Sequence, residues 1–187
     1  ESGCRFVVDV KKVFFSPRLS SERIRIAELV NDDEVVVNMF GGIGMFSIIA
    51  AKKKKCTVYN IDINPTAAKL CEKNTALNKL VGNVITIHGD AIEVIKNQLE
   101  NKSDRTLMLL PEKSDKFLNS AVLTTKNNGV IHYYSHIHAD KKLDASKLSE
   151  LHLMEKTPIN STILKSKIVR PVGPRFYQTV VDVRIKK

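Results

Sequence analysis

The alternation of strand-like and helix-like segments is the feature that most restricts the fold of this 187-residue chain. Short runs rich in valine and isoleucine alternate with longer segments whose apolar residues recur at helical spacing. The strand-like runs are DEVVVNMF, CTVYNIDIN, VITIHGD, RTLMLLP and GVIHYYSH, and the helical segments between them are MFSIIAAKKKK, PTAAKLCEKNTALNKL, AIEVIKNQL and KFLNSAVLTT. This order predicts an α/β fold with a parallel sheet and helices on both of its faces.

Segments outside this alternation extend the expected fold. Near the amino terminus, RFVVDVKKVFF (residues 5–15) has strand character, and SSERIRIAELV (residues 20–30) has helical spacing behind a serine. Near the carboxyl terminus, a polar stretch is followed by NSTILKSKIVRPV and RFYQTVVDVRI, two strand-like runs joined by Gly173 and Pro174. These two runs predict an antiparallel hairpin.

Length and composition are typical of one domain. Because 43% of the 187 residues are hydrophobic, we expect a single domain over 1–187, with a lead-in at 1–30 and the sheet at 31–187. No apolar run approaches the roughly 20 residues of a membrane helix, and the chain start lacks a secretory pattern, so we expect a cytoplasmic protein without a membrane partner. The three cysteines form no CxxC pair, which argues against a zinc site or a disulfide framework.

The charge of the chain points to a polyanionic partner. Lys and Arg number 30 against 20 Asp and Glu, a formal net charge of +10. Such an excess raises the local concentration of polyanions, so nucleic acid is the first partner to consider. A lysine-rich proteome or a thermophile surface is the alternative explanation. The lysine run at 52–55 fits the carboxyl end of a helix, where cations suit the dipole, and is poor evidence for RNA binding by itself.

A glycine-rich turn, in VVNMFGGIGMFSI, leaves a predicted strand and enters a predicted helix. Side chains are missing at Gly41, Gly42 and Gly44, so backbone N–H groups are accessible and a ligand can approach closely. Asp62 ends the second predicted strand, where a carboxylate can accept both hydroxyls of a ribose. Asp90 ends the third, where it can reach an adenine amino group. Because ligands bind at the carboxyl ends of parallel strands, the three strand ends predict a nucleoside site.

The turn differs from a dinucleotide-binding fingerprint. Met45 and Phe46 stand where the third glycine of that motif would fall, so no small residue is available for close packing against a pyrophosphate. A nucleoside without a pyrophosphate fits better, and S-adenosylmethionine is the common one. Each acid also has a purely structural explanation. Asp62 can form a turn before Pro65, and Asp90 can cap a helix; neither role excludes ligand binding.

Several segments, taken in order, resemble a known enzyme family. They are VFFSPRLSSERIRIAELV, VVNMFGGIGMFSI, NIDINPTA, GDA, MLLP and GVIHYY. The chain is similar over nearly its whole length to the archaeal and eukaryotic type of tRNA (guanine37-N1)-methyltransferase, including the archaeal branch that acts on the wyosine precursor. The resemblance implies a class I S-adenosylmethionine-dependent methyltransferase fold, Rossmann-like, with a seven-stranded sheet and an antiparallel carboxy-terminal hairpin.

The resemblance also implies roles for individual residues. The cofactor-binding positions would be Phe15, Phe40, Gly41, Gly42, Gly44, Asp62, Ile63, Asp90, Ala91 and Leu109. The family's catalytic glutamate matches Glu22, which would take the N1 proton of guanine as the methyl group arrives; an acid in a first helical turn is the structural alternative. Arg18 would meet a phosphate or brace Glu22, and Pro111 would lie at the substrate. Arg170 and Arg175 are candidates for contacts to the tRNA backbone.

The implied function is S-adenosylmethionine-dependent methylation of guanine 37, at N1, or of its tricyclic wyosine-pathway derivative in the anticodon loop of tRNA. The implied protein is a monomer that uses no metal. Two alternatives stay open. One is transfer of the aminocarboxypropyl group of the same cofactor, and the other is a cofactor- and RNA-binding module without turnover.

The sequence departs from the family in three places. Leu109, Leu110 and Pro111 replace the usual Asn-Leu-Pro, so the amide that recognises the base edge is lost. Leu109 favours the wyosine-precursor branch and keeps aminocarboxypropyl transfer open. Asn38 replaces an acid, which weakens a cofactor contact or only alters a turn. The family also has an amino-terminal RNA-binding extension with a catalytic arginine, for which a chain opening at ESGCRFVV leaves no room. We therefore expect a catalytic fragment or a reduced homologue.

Three histidines that lie close together in the sequence are candidate metal ligands. His132, His136 and His138 lie on one face of the fifth predicted strand, which favours a common site. No fourth ligand is close in sequence, and this family keeps polar residues around the substrate there. We therefore expect no metal.

Overall fold

The structure is a computed structural model that describes residues 1–157 and 160–187. These residues form two compact units, Glu1–Gln98 and Leu99–Lys187. The elements of the first unit are α1 (Ser20–Leu29), β1 (Val35–Asn38), α2 (Met45–Lys53), β2 (Thr57–Asp62), α3 (Pro65–Ala76), β3 (Asn83–His88) and α4 (Ala91–Gln98). The elements of the second unit are β4 (Ser103–Met108), α5 (Ser114–Thr124), β5 (Thr125–His138), α6 (Ala145–Lys156), β6 (Ser161–Gly173) and β7 (Phe176–Ile185). Short 3-10 helices at Pro17–Leu19 and Lys142–Asp144 precede α1 and α6.

Three parallel strands form the sheet of the first unit, in the order β3-β2-β1. Val58 of the central strand lies opposite Val36 on one side and Val84 on the other. The helix α2 is buried from Met45 to Ala51, because its sequence, MFSIIAA, offers almost no polar side. The predicted alternation of parallel strands and helices is confirmed in this unit.

The second unit combines parallel and antiparallel pairing. β5 pairs in parallel with β4 and antiparallel with β7, and β7 pairs antiparallel with β6. The hairpin turns at Pro174 and Arg175, so that Gly173 faces Phe176. Helix α5 packs against β4 and β5, and α6 packs against β5, β6 and β7. The predicted carboxy-terminal hairpin is confirmed.

The prediction of a strand at residues 5–15 is wrong. The segment is irregular, and its backbone groups bond to asparagine side chains of α3 and the turn after it. Arg5 N donates to Asn78 Oδ1 (2.9 Å), and Asn78 Nδ2 donates to Arg5 O (2.8 Å). Val7 pairs in the same way with Asn74, at 2.7 and 3.1 Å. These side-chain amides satisfy the backbone groups that a neighbouring strand would otherwise pair, so the apolar pattern alone was misleading.

The polar stretch expected before the hairpin contains a helix, α6, that the sequence analysis did not predict. Its buried residues are Ala145, Ser149 and Leu153, spaced four apart. Ser149 Oγ lies 3.1 Å from Ser135 Oγ and 2.8 Å from Thr179 Oγ1. The packed face is therefore small and partly polar, and the apolar periodicity that identifies most helices is absent from it.

Arg105, His132 and Asp182 form a buried polar network in the second unit. His132 Nδ1 lies 2.5 Å from Asp182 Oδ1, its partner in the register of β5 and β7, and His132 Nε2 lies 2.8 Å from Arg105 Nη1. A guanidinium can only donate, so Nε2 accepts from Arg105 and the ring proton is on Nδ1, which donates to Asp182. The imidazole thus links a buried cation to a buried anion.

Replacement of Asp182 by alanine is expected to lower the free energy of unfolding by about 3 kcal/mol, because the buried imidazole of His132 loses its acceptor and the network loses its anion. The matched control is Asp104→Ala, which breaks a partly exposed ion pair with Lys126 (2.8 Å) and should cost less than about 1 kcal/mol. Urea denaturation of both variants measures the difference. Equal losses would contradict the assignment of the network as the more stabilising of the two.

Candidate functional site

The glycine turn between β1 and α2 is fixed against the end of β2. Gly41 N donates to Ile61 O at 2.7 Å, and Gly44 N donates to Gly41 O at 3.0 Å. The first bond joins the turn to the neighbouring strand, and the second closes the turn on itself before α2 begins. The predicted position of the turn, at the carboxyl end of a buried parallel strand, is where the structure has it.

The three glycines of the turn are required for different reasons. A Cβ atom on Gly41 would lie 2.1 Å from Asn60 Oδ1, and one on Gly44 would lie 2.6 Å from Cys71 Sγ. These two positions therefore lack a side chain because of the protein's own packing. Gly42 has a φ of 53°, and a Cβ there would meet no atom of the described residues within 4 Å. Of the three, Gly42 is the position whose backbone faces open space.

The carboxylate of Asp62 joins the glycine turn to the loop after β2. Its Oδ2 accepts a hydrogen bond from Gly42 N at 2.7 Å, and its Oδ1 accepts one from Asn64 N at 2.9 Å. The second bond is the turn that the sequence suggested as the structural role of Asp62. Each carboxylate oxygen can accept more than one hydrogen bond, so this half-buried group keeps the capacity to accept hydroxyl donors as well.

The other predicted cofactor positions of the first unit lie at the ends of the same strands. Asp90 Oδ1 accepts from Ile92 N at 2.8 Å and so caps α4, as the structural alternative predicted. Ala91 is the first, buried residue of α4. Ile63 directly follows β2 and is exposed, and Phe40 is half-buried in the glycine turn.

A buried network of polar side chains supports the turn from below. Asn38 Nδ2 donates to Ser47 Oγ (3.2 Å), which donates to Asn60 Oδ1 (2.6 Å), and Asn60 Nδ2 reaches Gly42 O at 3.4 Å. All three side chains are fully buried. Asn38 thus braces β1 against α2. The sequence signal for this network is the pair of asparagines, Asn38 and Asn60, inside otherwise apolar strands.

The carboxylate of Glu22 is buried in α1, with 1% of its surface exposed. Arg25 donates to Glu22 Oε1 from Nε at 2.8 Å and from Nη2 at 2.5 Å. Arg18 is exposed on the short 3-10 helix before α1. Phe15 and Phe14 precede it and are 38% and 79% exposed, so neither is part of the core. Arg25 was not predicted to take part in the site.

Leu109 and Pro111 follow β4 in the second unit, and Pro111 borders a cavity of 550 Å³. The residues that line the cavity include Pro111, Ser114, Asp115, Tyr133, His136 and Phe176. Leu109 is not among the lining residues. The sequence analysis identified Pro111 but not the polar groups around it.

The polar groups of the cavity centre on Asp115. Its carboxylate accepts hydrogen bonds from the Tyr133 hydroxyl and from His152 Nε2, the latter at 2.9 Å. Burial opposes ionisation of Asp115, but these hydrogen bonds outweigh it and hold the pKa of Asp115 below its ordinary value. Burial lowers the pKa of His136, so its imidazole is neutral at neutral pH.

The remaining predicted residues are dispersed over the second unit. Arg170 Nε donates to Gln178 Oε1 at 2.7 Å, and Arg175 forms an exposed ion pair with Asp140 at 3.1 Å. His132 belongs to the buried network and His138 is exposed. Within residues 1–157 and 160–187, no three histidine, cysteine or acidic side chains are grouped so as to hold a metal ion. In the same residues, no helix has the length and apolarity needed to cross a bilayer.

The parallel strands, the glycine turn and the acid that ends the neighbouring strand are the features of a Rossmann-like domain of the class I methyltransferase type. The chain belongs to the TRM5/TYW2 methyltransferase domain family, and the sequence profile of that family matches residues 1–159. The family predicted from the sequence motifs is thereby confirmed.

Individual relatives agree with this assignment. The chain is 41% identical over its full length to the tRNA (guanine(37)-N(1))-methyltransferase Trm5b of Methanocaldococcus jannaschii, of which it covers 51%. It is 36% identical to the tRNA(Phe) (4-demethylwyosine(37)-C(7)) aminocarboxypropyltransferase of the same organism, with 100% of the chain and 74% of the relative covered. The crystal structure of M. jannaschii Trm5 in complex with adenosine superposes with a TM-score of 0.86 at 40% identity, over 100% of this chain and 55% of that one.

Two facts follow from these comparisons. The predicted fold class, α/β with a seven-stranded mixed sheet and an antiparallel hairpin, is confirmed by a structural neighbour that covers the whole chain. The chain spans about half the length of the guanine-37 methyltransferases that it matches, at 54% and 51%.

Alanine substitutions at Gly41 and Gly42 are expected to lower the stability by different amounts, because Gly41 is closely packed and Gly42 faces open space. Gly41→Ala should lower the free energy of unfolding by about 3 kcal/mol, because the added methyl group overlaps the buried Asn60 side chain. Gly42→Ala should cost only about 1 kcal/mol, the strain of a left-handed backbone without a clash. Chemical denaturation without ligand measures both. A Gly42 variant as unstable as the Gly41 variant would contradict the open position assigned to Gly42.

Proposed function

We propose that residues 1–187 form one catalytic domain that uses S-adenosylmethionine to modify the nucleoside at position 37 of tRNA. The expected product is guanine methylated at N1 or a methylated tricyclic wyosine-pathway derivative. The observation that carries the proposal is the hydrogen bond from Gly42 N to the Asp62 carboxylate. This bond holds a backbone position that faces open space next to a carboxylate at the end of a parallel strand. Relatives with the same domain are named as enzymes of tRNA position 37, which supports the reaction.

The residues present fit the cofactor. Gly42 would face the nucleoside with bare backbone, and Asp62 would accept the ribose hydroxyls beside the two N–H groups it already binds. Asp90 would accept the adenine amino group with the carboxylate that caps α4. The remaining contacts would come from Phe15, Phe40, Gly41, Gly44, Ile63, Ala91 and Leu109. When bound, the cofactor supplies an electrophilic methyl group on a sulfonium.

Glu22 would take the proton that leaves N1 of guanine. The two hydrogen bonds that Arg25 donates to Oε1 would fix the orientation of this carboxylate on α1. Burial of Glu22 limits competing water at the reacting atoms. Arg18, exposed before α1, would meet a substrate phosphate.

The cavity of the second unit, taken by itself, would bind a nucleobase. A nucleotide that undergoes chemistry on its base has to leave the base stack and enter a recess. Pro111 and Phe176 give this recess of 550 Å³ apolar surface, and Asp115 and His136 give it polar groups. A tricyclic base derivative would have room there as well as a guanine.

Aminocarboxypropyl transfer is the second candidate reaction, which Leu109 keeps open. The apolar side chain replaces an asparagine that would bind the edge of guanine, so recognition of an unmodified guanine is weakened. In this reaction the bond from sulfur to the amino-acid side chain breaks in place of the bond to the methyl group. The mass of the product nucleoside separates the two reactions.

Binding of tRNA would rest on charge. The net charge of +10 would attract the RNA backbone, and Arg170 and Arg175 of the hairpin would contact its phosphates. We further propose that the protein acts as a monomer, without a metal, in the cytoplasm.

Incubation of the chain with labelled S-adenosylmethionine and tRNA transcripts bearing G or A at position 37 is expected to label the G37 transcript alone. Nucleoside mass spectrometry should identify the product as 1-methylguanosine. A parallel incubation with tRNA that carries the tricyclic precursor tests methyl transfer and aminocarboxypropyl transfer to that derivative. Label on none of these substrates, with cofactor binding intact, would contradict the catalytic proposal and favour a module that binds without turnover.

Replacement of Glu22 by glutamine is expected to lower the turnover number at least about 100-fold, because the proton acceptor is lost. Affinity for the cofactor should change less than about twofold, since Glu22 would not contact it. The matched control is Glu28→Gln, on the same helix, whose exposed carboxylate lies 3.8 Å from Lys53 Nζ and should be replaceable without effect. An unchanged rate in the Glu22 variant would remove this residue from the mechanism.

A further inference from the structure

The side chain of Asn74 joins two segments that are far apart in sequence. Its Oδ1 accepts from Val7 N at 2.7 Å, and its Nδ2 donates to Val7 O and to Ile43 O, each at 3.1 Å. The amide is fully buried on α3. Val7 belongs to the irregular segment before α1, and Ile43 lies in the glycine turn between Gly42 and Gly44. One amide therefore fixes the turn to that segment.

Apolar contacts reinforce the same junction. Val13, Ile43, Met45 and Ala67 form a buried cluster, against which Phe6, Val8 and Leu70 pack. The cluster contains residues of the irregular segment, of the glycine turn and of the first turns of α2 and α3. Displacement of the segment would therefore expose the apolar side of the turn.

A second asparagine, Asn64, connects the segment to the loop after β2. Asn64 Nδ2 donates to Lys12 O at 2.9 Å, and Asn64 N donates to Asp62 Oδ1 at 2.9 Å. Both loops of the proposed nucleoside site are thus bonded to the stretch between Val7 and Lys12. Asn78 binds the backbone of Arg5 as Asn74 binds that of Val7. The other hydrogen bond of its side chain goes to Asn74 O, at the end of α3, and not to the glycine turn.

We propose that Asn74 is a positioning residue for the cofactor site, and this inference rests on the function proposed above. By bonding Ile43 O and both backbone groups of Val7, it holds the glycine turn in the conformation that leaves Gly42 open. It also couples the turn to the segment that leads to Phe15 and Glu22. Since such coupling is reciprocal, a ligand at the turn stabilises the segment, and a bound segment strengthens ligand binding.

The residue type fits this role. An asparagine supplies two donors and an acceptor on a short side chain, which is the set that Val7 N, Val7 O and Ile43 O require. Aspartate would lose both donors and place a charge beside two carbonyl oxygens. A core asparagine that only stabilises the fold would make the same bonds, so the discriminating readout is ligand affinity.

The test compares Asn74→Ala with Asn78→Ala, a matched control four residues further along the chain, just after α3. Calorimetry with S-adenosylhomocysteine is expected to give about tenfold weaker binding for the Asn74 variant. A tenfold loss corresponds to about the net contribution of one hydrogen bond, here the bond that orders the glycine turn. The Asn78 variant should bind within about twofold of the parent. Amide hydrogen exchange should become faster at Val7 and Gly44 in the first variant, and at Arg5 but not Gly44 in the second.

Equal affinities for the two variants, with exchange faster at Val7 in the Asn74 variant, would overturn the proposal and leave a purely structural asparagine. If Asn74→Ala does not fold, the unmodified protein decides: S-adenosylhomocysteine should slow exchange at Val7 more than at Arg5, and equal slowing overturns the coupling. If the unmodified protein binds no S-adenosylhomocysteine, the proposed function fails on its own. The coupling is then judged by exchange at Gly44, where equal rates in the two variants would overturn it.

Discussion

The hydrogen bond from Gly42 N to the Asp62 carboxylate is the interaction on which the rest of the site depends. At 2.7 Å it joins the glycine turn after β1 to the last residue of β2, the neighbouring strand in the sheet. The carboxylate is held in place by backbone donors, and the turn is held with Gly42 facing open space. A nucleoside that enters there finds both groups already oriented, so little conformational entropy is lost on binding.

Side-chain amides recur as the means by which the first unit holds its irregular backbone. Asn38 and Asn60 support the glycine turn from the core, while Asn64, Asn74 and Asn78 bond the segment before α1. An amide donates and accepts at once and can therefore replace a strand as the partner of an isolated backbone stretch. Loops built in this way have their backbone groups hydrogen-bonded without regular secondary structure. Gly42 can therefore face open space although the residues that support the turn are buried.

Much of the fold could be predicted from the sequence because periodicity reports burial. The five alternating strands, their helices and the hairpin carried clear apolar patterns, and Asp62 was found by its position at a strand end. The pattern failed at two places where polar groups do the packing: helix α6 was missed, and a strand was wrongly predicted at residues 5–15. Helix α6 buries Ser149 between other hydroxyls, and residues 5–15 bond to asparagines, so neither follows the apolar rule. The sequence also could not show that Gly41 lacks a side chain because Asn60 occupies the space, whereas Gly42 faces open space. That difference depends on neighbours in three dimensions.

The most direct measurement is a titration of the ¹⁵N-labelled protein with adenosine and with 2′,3′-dideoxyadenosine, followed by the amide signals of Gly42 and Asn64. Both amides donate to Asp62, so each reports on that carboxylate. The account predicts that adenosine shifts both signals and that the dideoxy compound binds at least about tenfold more weakly, because it lacks the hydroxyls that Asp62 would accept. Equal affinities for the two compounds, or shifts that leave Gly42 and Asn64 unchanged, would contradict it.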